Sequence, residues 1–323
     1  MKPTTKTFRL INKLGLPAYF RKKHQKKSVT IVLLHNPSVE TARIIFSWLS
    51  EHYTFISLKQ YLNTRLNLSN EPLPDYSMVV TFDDGMIENY QLLSLFKEFK
   101  IHPTIFLCTA IIGTNRHFWF TENNTPLTVD ELKKLPNSER ELMMKDHGFN
   151  KSMVFDTPQV LQDWQIIEMA EQVDFQCHTM HHPILTNCNK DELFTEIGGT
   201  KRTLEAIFNK EAYALAYPNG DYGIREQLSA FYAGFKCALT LDAGQNTMTT
   251  NPFALYRFSI NDSANTDELA AKSSGVWIWL KERFGFRPKA TERFTPHTIV
   301  TTLKEIRQKQ EAVKTVYLDN AFK

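Results

Sequence analysis

No apolar run in this chain is long enough to span a bilayer. Its opening stretch, Phe8-Arg9-Leu10-Ile11-Asn12-Lys13-Leu14-Gly15-Leu16-Pro17, is too interrupted for an export signal. Cysteine is sparse: Cys108, Cys177, Cys188 and Cys237 lie scattered, without the pair spacing of a metal knot or the density of a disulfide framework. Reduced thiols and a cytoplasmic setting are therefore expected. The net charge of +3 is small and singles out no class of partner. Acidic residues are missing from the first 27 positions, where nine Lys or Arg stand. The lysines of that stretch are not interleaved with aromatic residues, so nothing supports nucleic-acid binding. A solvated basic arm is expected, with peripheral contact to the inner face of an anionic membrane as the alternative. Internal repeats and low-complexity tracts are absent too, so no repeat architecture is expected.

What the chain has is ordinary globular content, 42% hydrophobic over 323 residues, enough for one large α/β domain in preference to two small ones. Apolar, β-branched runs recur at Val29 to Leu34, Met78 to Phe82, Pro103 to Leu107, Ala212 to Tyr217, Phe235 to Leu239 and Ala254 to Ile260. Amphipathic stretches alternate with them, such as Glu40 to Glu51, whose Ala42, Ile45, Phe46 and Leu49 share one face. Strand and helix in alternation argue for parallel βαβ units. Between 113 and 158 the alternation fails, and this stretch is expected as an insertion over the strand ends. Its His117-Phe118-Trp119-Phe120 cluster is expected to plug onto the barrel; a sugar-stacking platform is the alternative. The expected organisation is a basic arm over 1–27, one barrel over 28–262 and a helical extension over 263–323.

Chemistry concentrates at strand ends. Met78-Val79-Val80-Thr81-Phe82-Asp83-Asp84-Gly85 delivers two adjacent carboxylates from a buried strand into a glycine turn, and in α/β folds catalytic groups collect at the carboxyl ends of strands. Two neighbouring ionised carboxylates repel unless a cation or a shared proton relieves them. Candidate partners for such a cation follow in Cys177-His178-Thr179-Met180-His181-His182-Pro183. His178 and His182 share one side if the stretch makes a helical turn, with His181 as the rival second ligand. Alternation at a strand end turns the Cys177 thiol to the opposite face. His35 ends the first strand as Asp83 ends a later one.

Thr-Phe-Asp-Asp-Gly followed by His-Thr-x-x-His, in this order, resembles the polysaccharide deacetylases, the NodB-homology enzymes of carbohydrate esterase family 4. The apolar strand ending in His35 is similar to the poly-N-acetylglucosamine de-N-acetylase type. The resemblance runs from about Val29 to Asp262 and implies an α/β fold, a distorted (β/α)7-type barrel with its site at the carboxyl ends of the strands. It implies one divalent ion, zinc first and cobalt or nickel next, on Asp84, His178 and His182. Asp83 is then the general base and His35 the general acid. The turn Tyr217-Pro218-Asn219-Gly220 resembles the third motif, where the Asn219 backbone N–H would bind the oxyanion. That motif departs from the family pattern: Asn219 replaces an aromatic residue, and Ala216 stands where many members carry an arginine that braces the catalytic aspartate. Arg257, on the last strand, is the candidate for the missing brace.

The implied activity is hydrolysis of an N-acetyl amide in an amino-sugar glycan or glycan precursor. The alternatives are a related amidase or imidase acting on a small molecule, and a non-catalytic glycan-binding protein.

Overall fold

The computed structural model describes residues 5–283; the polar end of the expected extension lies outside them. Eight strands form one parallel sheet: β1 Thr30–Leu34, β2 Thr54–Phe55, β3 Ser77–Phe82, β4 Thr104–Leu107, β5 Asp174–Cys177, β6 Ala214–Ala216, β7 Cys237–Leu239 and β8 Phe258–Ser259. The order is β7-β6-β5-β4-β3-β1-β8, with β2 also paired to β3. Every residue of β1, β3 and β4 is buried. Their β-branched runs do not alternate with polar residues because a parallel sheet curled under helices has no wet face.

The last strand segment joins the two edges of the curl. Phe258 and Ser259 pair with β1, while Leu255 just before them bridges to Leu239 of β7 and donates its N–H to the Ala238 carbonyl at 2.9 Å. The sheet thereby closes into a distorted barrel, as expected. Helices clothe it. Helix Val39–Ser50 starts where the Ser38 hydroxyl accepts the Thr41 N–H and buries Ala42, Ile45, Phe46 and Leu49. Helix Lys190–Phe208 opens with a capping box of Asn189 and Glu192.

The insertion folds into two short helices, Val129–Leu132 and Asn137–Asp146, around a core of its own formed by Trp119, Leu132, Met144, Phe149 and Ile184. The N-terminal segment departs from the solvated arm expected of it. Helices Thr5–Lys13 and Leu16–Phe20 set Phe8, Ile11 and Phe20 against Ala271 and Val276, residues of helices Thr266–Ser273 and Val276–Arg283. Phe8, Ile11 and Phe20 therefore serve a satellite core on the barrel, and the lysines of the segment coat the outside. Among the described residues no helix is long and apolar enough to cross a membrane.

Candidate active site

Register decides which side chains meet. Leu34 pairs with Phe82, so His35 and Asp83, the next residue on each strand, leave β1 and β3 side by side. Leu107 pairs with Cys177 and Cys177 with Leu215, which brings His178 beside the end of β6. Its Nδ1 lies 2.9 Å from the Ala216 carbonyl. Donation from Nδ1 to that oxygen fixes the tautomer and leaves the Nε2 lone pair facing the aspartates.

Asp84, His178 and His182 converge there: one ligand atom from each lies within 4.8 Å of the others, and all three residues are buried. Asp84 Oδ1 stands 3.5 Å from His178 Nε2 and 3.4 Å from His182 Nε2, yet it is a buried oxygen with no hydrogen-bond partner, as is His182 Nδ1 among nitrogens. An orphaned carboxylate oxygen between two imidazole nitrogens, in an O,N,N donor set, suits a divalent cation with positions left open.

The electrostatics agree. Burial, reinforced by the Asp83 charge, pushes Asp84 up to about 8, a cost that a cation would remove. Burial lowers the pKa of His178 and takes that of His182 well down, so both imidazoles are neutral and can donate a lone pair.

Asp83 is treated differently. Burial alone would raise its pKa, but the Arg257 guanidinium overrides this and holds the carboxyl far below the usual carboxylate range. Arg257 Nη1 donates to Asp83 Oδ1 at 2.7 Å and Nη2 to Oδ2 at 2.8 Å, a two-pronged pair. Its Nε donates to the Thr240 carbonyl at 2.8 Å. Arg257 thus reaches from the closing segment of the barrel to the carboxylate that Ala216 leaves without a neighbouring arginine. His35 is half-buried at the end of β1, beside Asp83 at the end of β3. The Asp262 carboxylate accepts its backbone N–H and Asn89 donates to its carbonyl.

The backbone here is strained. Asp84, Thr179, His182 and Asn219 all have positive φ, at 73°, 69°, 56° and 57°, a region costly for side chains other than glycine and most of all for a β-branched one. Gly85, at φ 65°, follows Asp84, and a Cβ on it would lie 2.5 Å from Leu107 Cδ2, so the Asp-Asp-Gly turn requires that glycine. The histidine segment does not make the helical turn that would put residues four apart on one side. Thr179 and His182 in left-handed conformations make it a tight loop, and the loop directs both rings to one point.

Two residues that the sequence reading passed over hold that loop. Glu196 accepts the Met180 and His181 backbone N–H groups through Oε2, at 2.8 and 2.9 Å, and pairs with His181 Nδ1 through Oε1 at 2.8 Å. His181 is thereby turned from the cluster, and the rival ligand is set aside. A glutamate among Leu193, Ile197 and Thr200 on the buried face of its helix was the available signal. Gly199 admits the loop: a Cβ there would sit 2.5 Å from Met180 Sδ. Trp119, buried as a plug, donates its indole N–H to the His182 carbonyl at 2.8 Å, and Phe120 abuts the His182 ring edge-to-face at 5.0 Å.

The turn after β6 is placed as expected only in part. Pro218–Gly220 makes a short 3-10 turn with Asn219 at its left-handed corner. The Tyr217 hydroxyl, however, donates to the Phe253 carbonyl in the core at 3.0 Å, and the ring stacks on Tyr222. Its side chain is structural, and any contribution to a substrate comes from the turn behind it. All four cysteine thiols are free and buried.

A profile of the family described as polysaccharide deacetylase matches residues 70–238, more than half of the chain and both motif segments. The chain belongs to the polysaccharide deacetylase family. A curated relative, the putative polysaccharide deacetylase YxkH of Bacillus subtilis, is 22% identical over 198 residues, which cover 61% of this chain and 56% of that protein. The chain therefore spans little more than half the length of that relative. Similar solved structures include the deacetylase PplD of Streptococcus pyogenes, with 20% identity, TM-score 0.53, 77% of this chain and 99% of that one. Another is IcaB from Ammonifex degensii, with 16% identity, TM-score 0.57, 78% of this chain and 100% of that one. At these identities the likeness carries the deacetylase barrel and not the substrate.

Proposed function

We propose that this polysaccharide deacetylase removes N-acetyl groups from an amino-sugar glycan or glycan precursor, by metal-dependent hydrolysis of the amide. The observation that carries the reading is the orphaned Asp84 Oδ1 between two neutral imidazoles, one residue from a carboxylate kept ionised by a buried arginine. Asp84, His178 and His182 would hold one divalent ion, zinc by donor type, and bound there it supplies Lewis-acid activation of water and of the amide carbonyl.

The chain's own groups do the rest. Asp83, pinned by Arg257 at both oxygens, stays a carboxylate and accepts the proton of the attacking water at Oδ2, the oxygen nearer His178. Arg257 positions it. The Asn219 backbone N–H donates to the oxygen that becomes negative as the carbonyl carbon turns tetrahedral, with Pro218 shaping the turn that presents it. His35, on the other flank of Asp83, gives a proton to the departing nitrogen. One water is consumed, and acetate and a free amine leave.

The test is acetate release from N-acetylglucosamine oligomers by the whole chain, before and after chelation and zinc return. Release that chelation abolishes and zinc restores supports the reading. Binding of the oligomers at full zinc occupancy without acetate release overturns it. Peripheral membrane contact belongs to the proposal as well. Leu10, Leu14 and Tyr19 are exposed among the basic residues of the N-terminal helices, a combination suited to anionic lipid. Cosedimentation with phosphatidylglycerol vesicles should weaken with Lys22→Glu and Lys23→Glu, and unchanged cosedimentation would remove this element.

A further inference from the structure

Trp164 is 58% exposed, more than any other tryptophan of the chain. A single exposed apolar residue is ordinary, but this one is neither single nor loose. Ile167, one turn further along helix Asp163–Met169, is 74% exposed. The Trp164 ring meets Tyr90 edge-to-face, with centroids 4.9 Å apart. The Tyr90 hydroxyl in turn donates to Glu168 of the same helix at 2.7 Å, which fixes the tyrosine and one side of the indole with it. The indole N–H of Trp164 donates to no protein group among the described residues.

Backbone pairing ties this face to the cluster of Asp84, His178 and His182. Leu161 donates its N–H at 2.9 Å to the carbonyl of Gly85, the residue after Asp84, and Ile87 donates to the Gln159 carbonyl at 3.0 Å. The Gln159 side chain carries the link onward. It accepts the Phe118 N–H at 3.0 Å and donates to the Thr121 hydroxyl at 2.8 Å, and so holds the turn that seats Phe120 against the His182 ring. Phe120, Ile87 and Tyr90 are half-buried and Trp164 is exposed. Together they make an apolar strip that begins at the His182 imidazole and runs outward.

A pyranose carries its hydroxyls around the edge of the ring, and its axial C–H groups make one face apolar. A flat ring that is already held in place covers that face at little cost in ordering, and an unpaired indole N–H at its edge can meet a sugar hydroxyl. We propose that Trp164, held by Tyr90, is a stacking platform for a further pyranose of the glycan whose N-acetyl group is cleaved, with Phe120 against the reacting unit. The substrate is then an oligomer or polymer of the amino sugar and not a single sugar or its activated precursor.

This inference rests on the deacetylase reading for its ligand, but its test does not need turnover. N-acetylglucosamine and its β-1,4- and β-1,6-linked pentamers are passed over the immobilised, zinc-treated whole chain. Equilibrium binding is read by surface plasmon resonance within seconds, and circular dichroism verifies that each variant is folded. At least one pentamer should bind more than about tenfold tighter than the monosaccharide, beyond the roughly fivefold that five equivalent units give by number alone. Trp164→Leu, apolar but without a flat face, should erase most of that preference, and Trp164→Phe should keep most of it. A smaller pentamer advantage overturns the proposal, as does a preference that survives in folded Trp164→Leu or is lost equally in both variants. Weaker cosedimentation of Trp164→Leu with phosphatidylglycerol vesicles, with pentamer preference intact, assigns the patch to a membrane and overturns it too. Pentamer preference can be absent while acetate is still released, and present without any release, so the two readings fall separately.

Discussion

Arg257→Met removes the two-pronged cation from Asp83 at nearly constant volume. In the native protein both Asp83 oxygens receive a guanidinium N–H, at 2.7 and 2.8 Å, and Arg257 is fully buried. Breaking a buried pair from one side leaves an uncompensated charge and costs about 3–5 kcal/mol. Chemical unfolding at pH 7 should show a loss of that size. The sign of the pH dependence follows from the depressed pKa of Asp83. A carboxylate held below its unfolded value of roughly 3.9 stabilises the fold above that pH and loses the contribution as pH falls through the folded value. Native stability should therefore persist through mildly acidic pH and drop only below about 4. Without Arg257, burial is opposed far less and the Asp83 pKa rises, so the acid limb of the acetate-release profile should move to higher pH. The double variant Asp83→Asn with Arg257→Met should lose less stability than the sum of the single losses, because neither residue is then left buried without its partner. Arg257→Met with undiminished stability and an unmoved acid limb would refute the reasoning.

Substitution should separate the two aspartates: Asp84→Ala and His178→Ala should lose zinc and activity together, whereas Asp83→Asn should keep zinc by elemental analysis while turnover falls about 10²–10⁴-fold. Zinc binding at pH 7 should release a proton, because Asp84 sits at about 8 in the metal-free chain; affinity should weaken on acidification, and calorimetry in buffers of different ionisation enthalpy reads the proton count. A buffer-independent heat would contradict the Asp84 assignment. Trp119→Phe keeps the plug but strips the N–H from the His182 carbonyl, so stability should fall by about 1–3 kcal/mol and zinc affinity about 10–100-fold. Unchanged zinc affinity would limit Trp119 to packing.

Local chemistry explains why part of this was legible beforehand. The buried strands are continuous apolar runs, and the Asp83-Asp84-Gly85 turn must sit at a strand end because the run stops there. Arg257 could be named because Ala216 leaves an aspartate in need of a counter-charge and few cations stand on the barrel strands. The loop was not legible in the same way. An i, i+4 histidine pair suits a helix by spacing, and nothing local to Thr179 or His182 announces a left-handed backbone. That conformation is disfavoured locally and is held by Glu196, Trp119 and the gap left at Gly199, groups far away in the chain. The basic segment misled for a related reason: its apolar residues look too sparse to fold alone, and they are sufficient once helices Thr266–Ser273 and Val276–Arg283 supply the other half of the core. The direction of the Tyr217 side chain was not legible either, because a strand-end tyrosine can face either way and the Phe253 carbonyl that captures it comes from a distant turn.

By itself the sequence determined the alternation of strand and helix, the identity of the acid and imidazole groups and their order along the chain, because these follow from hydrophobic period and side-chain chemistry. Only the tertiary structure decided that Arg257 clamps Asp83 and that His182 and not His181 joins Asp84. Each depends on barrel closure and loop strain, which bring together groups whose local sequence carries no trace of their partners.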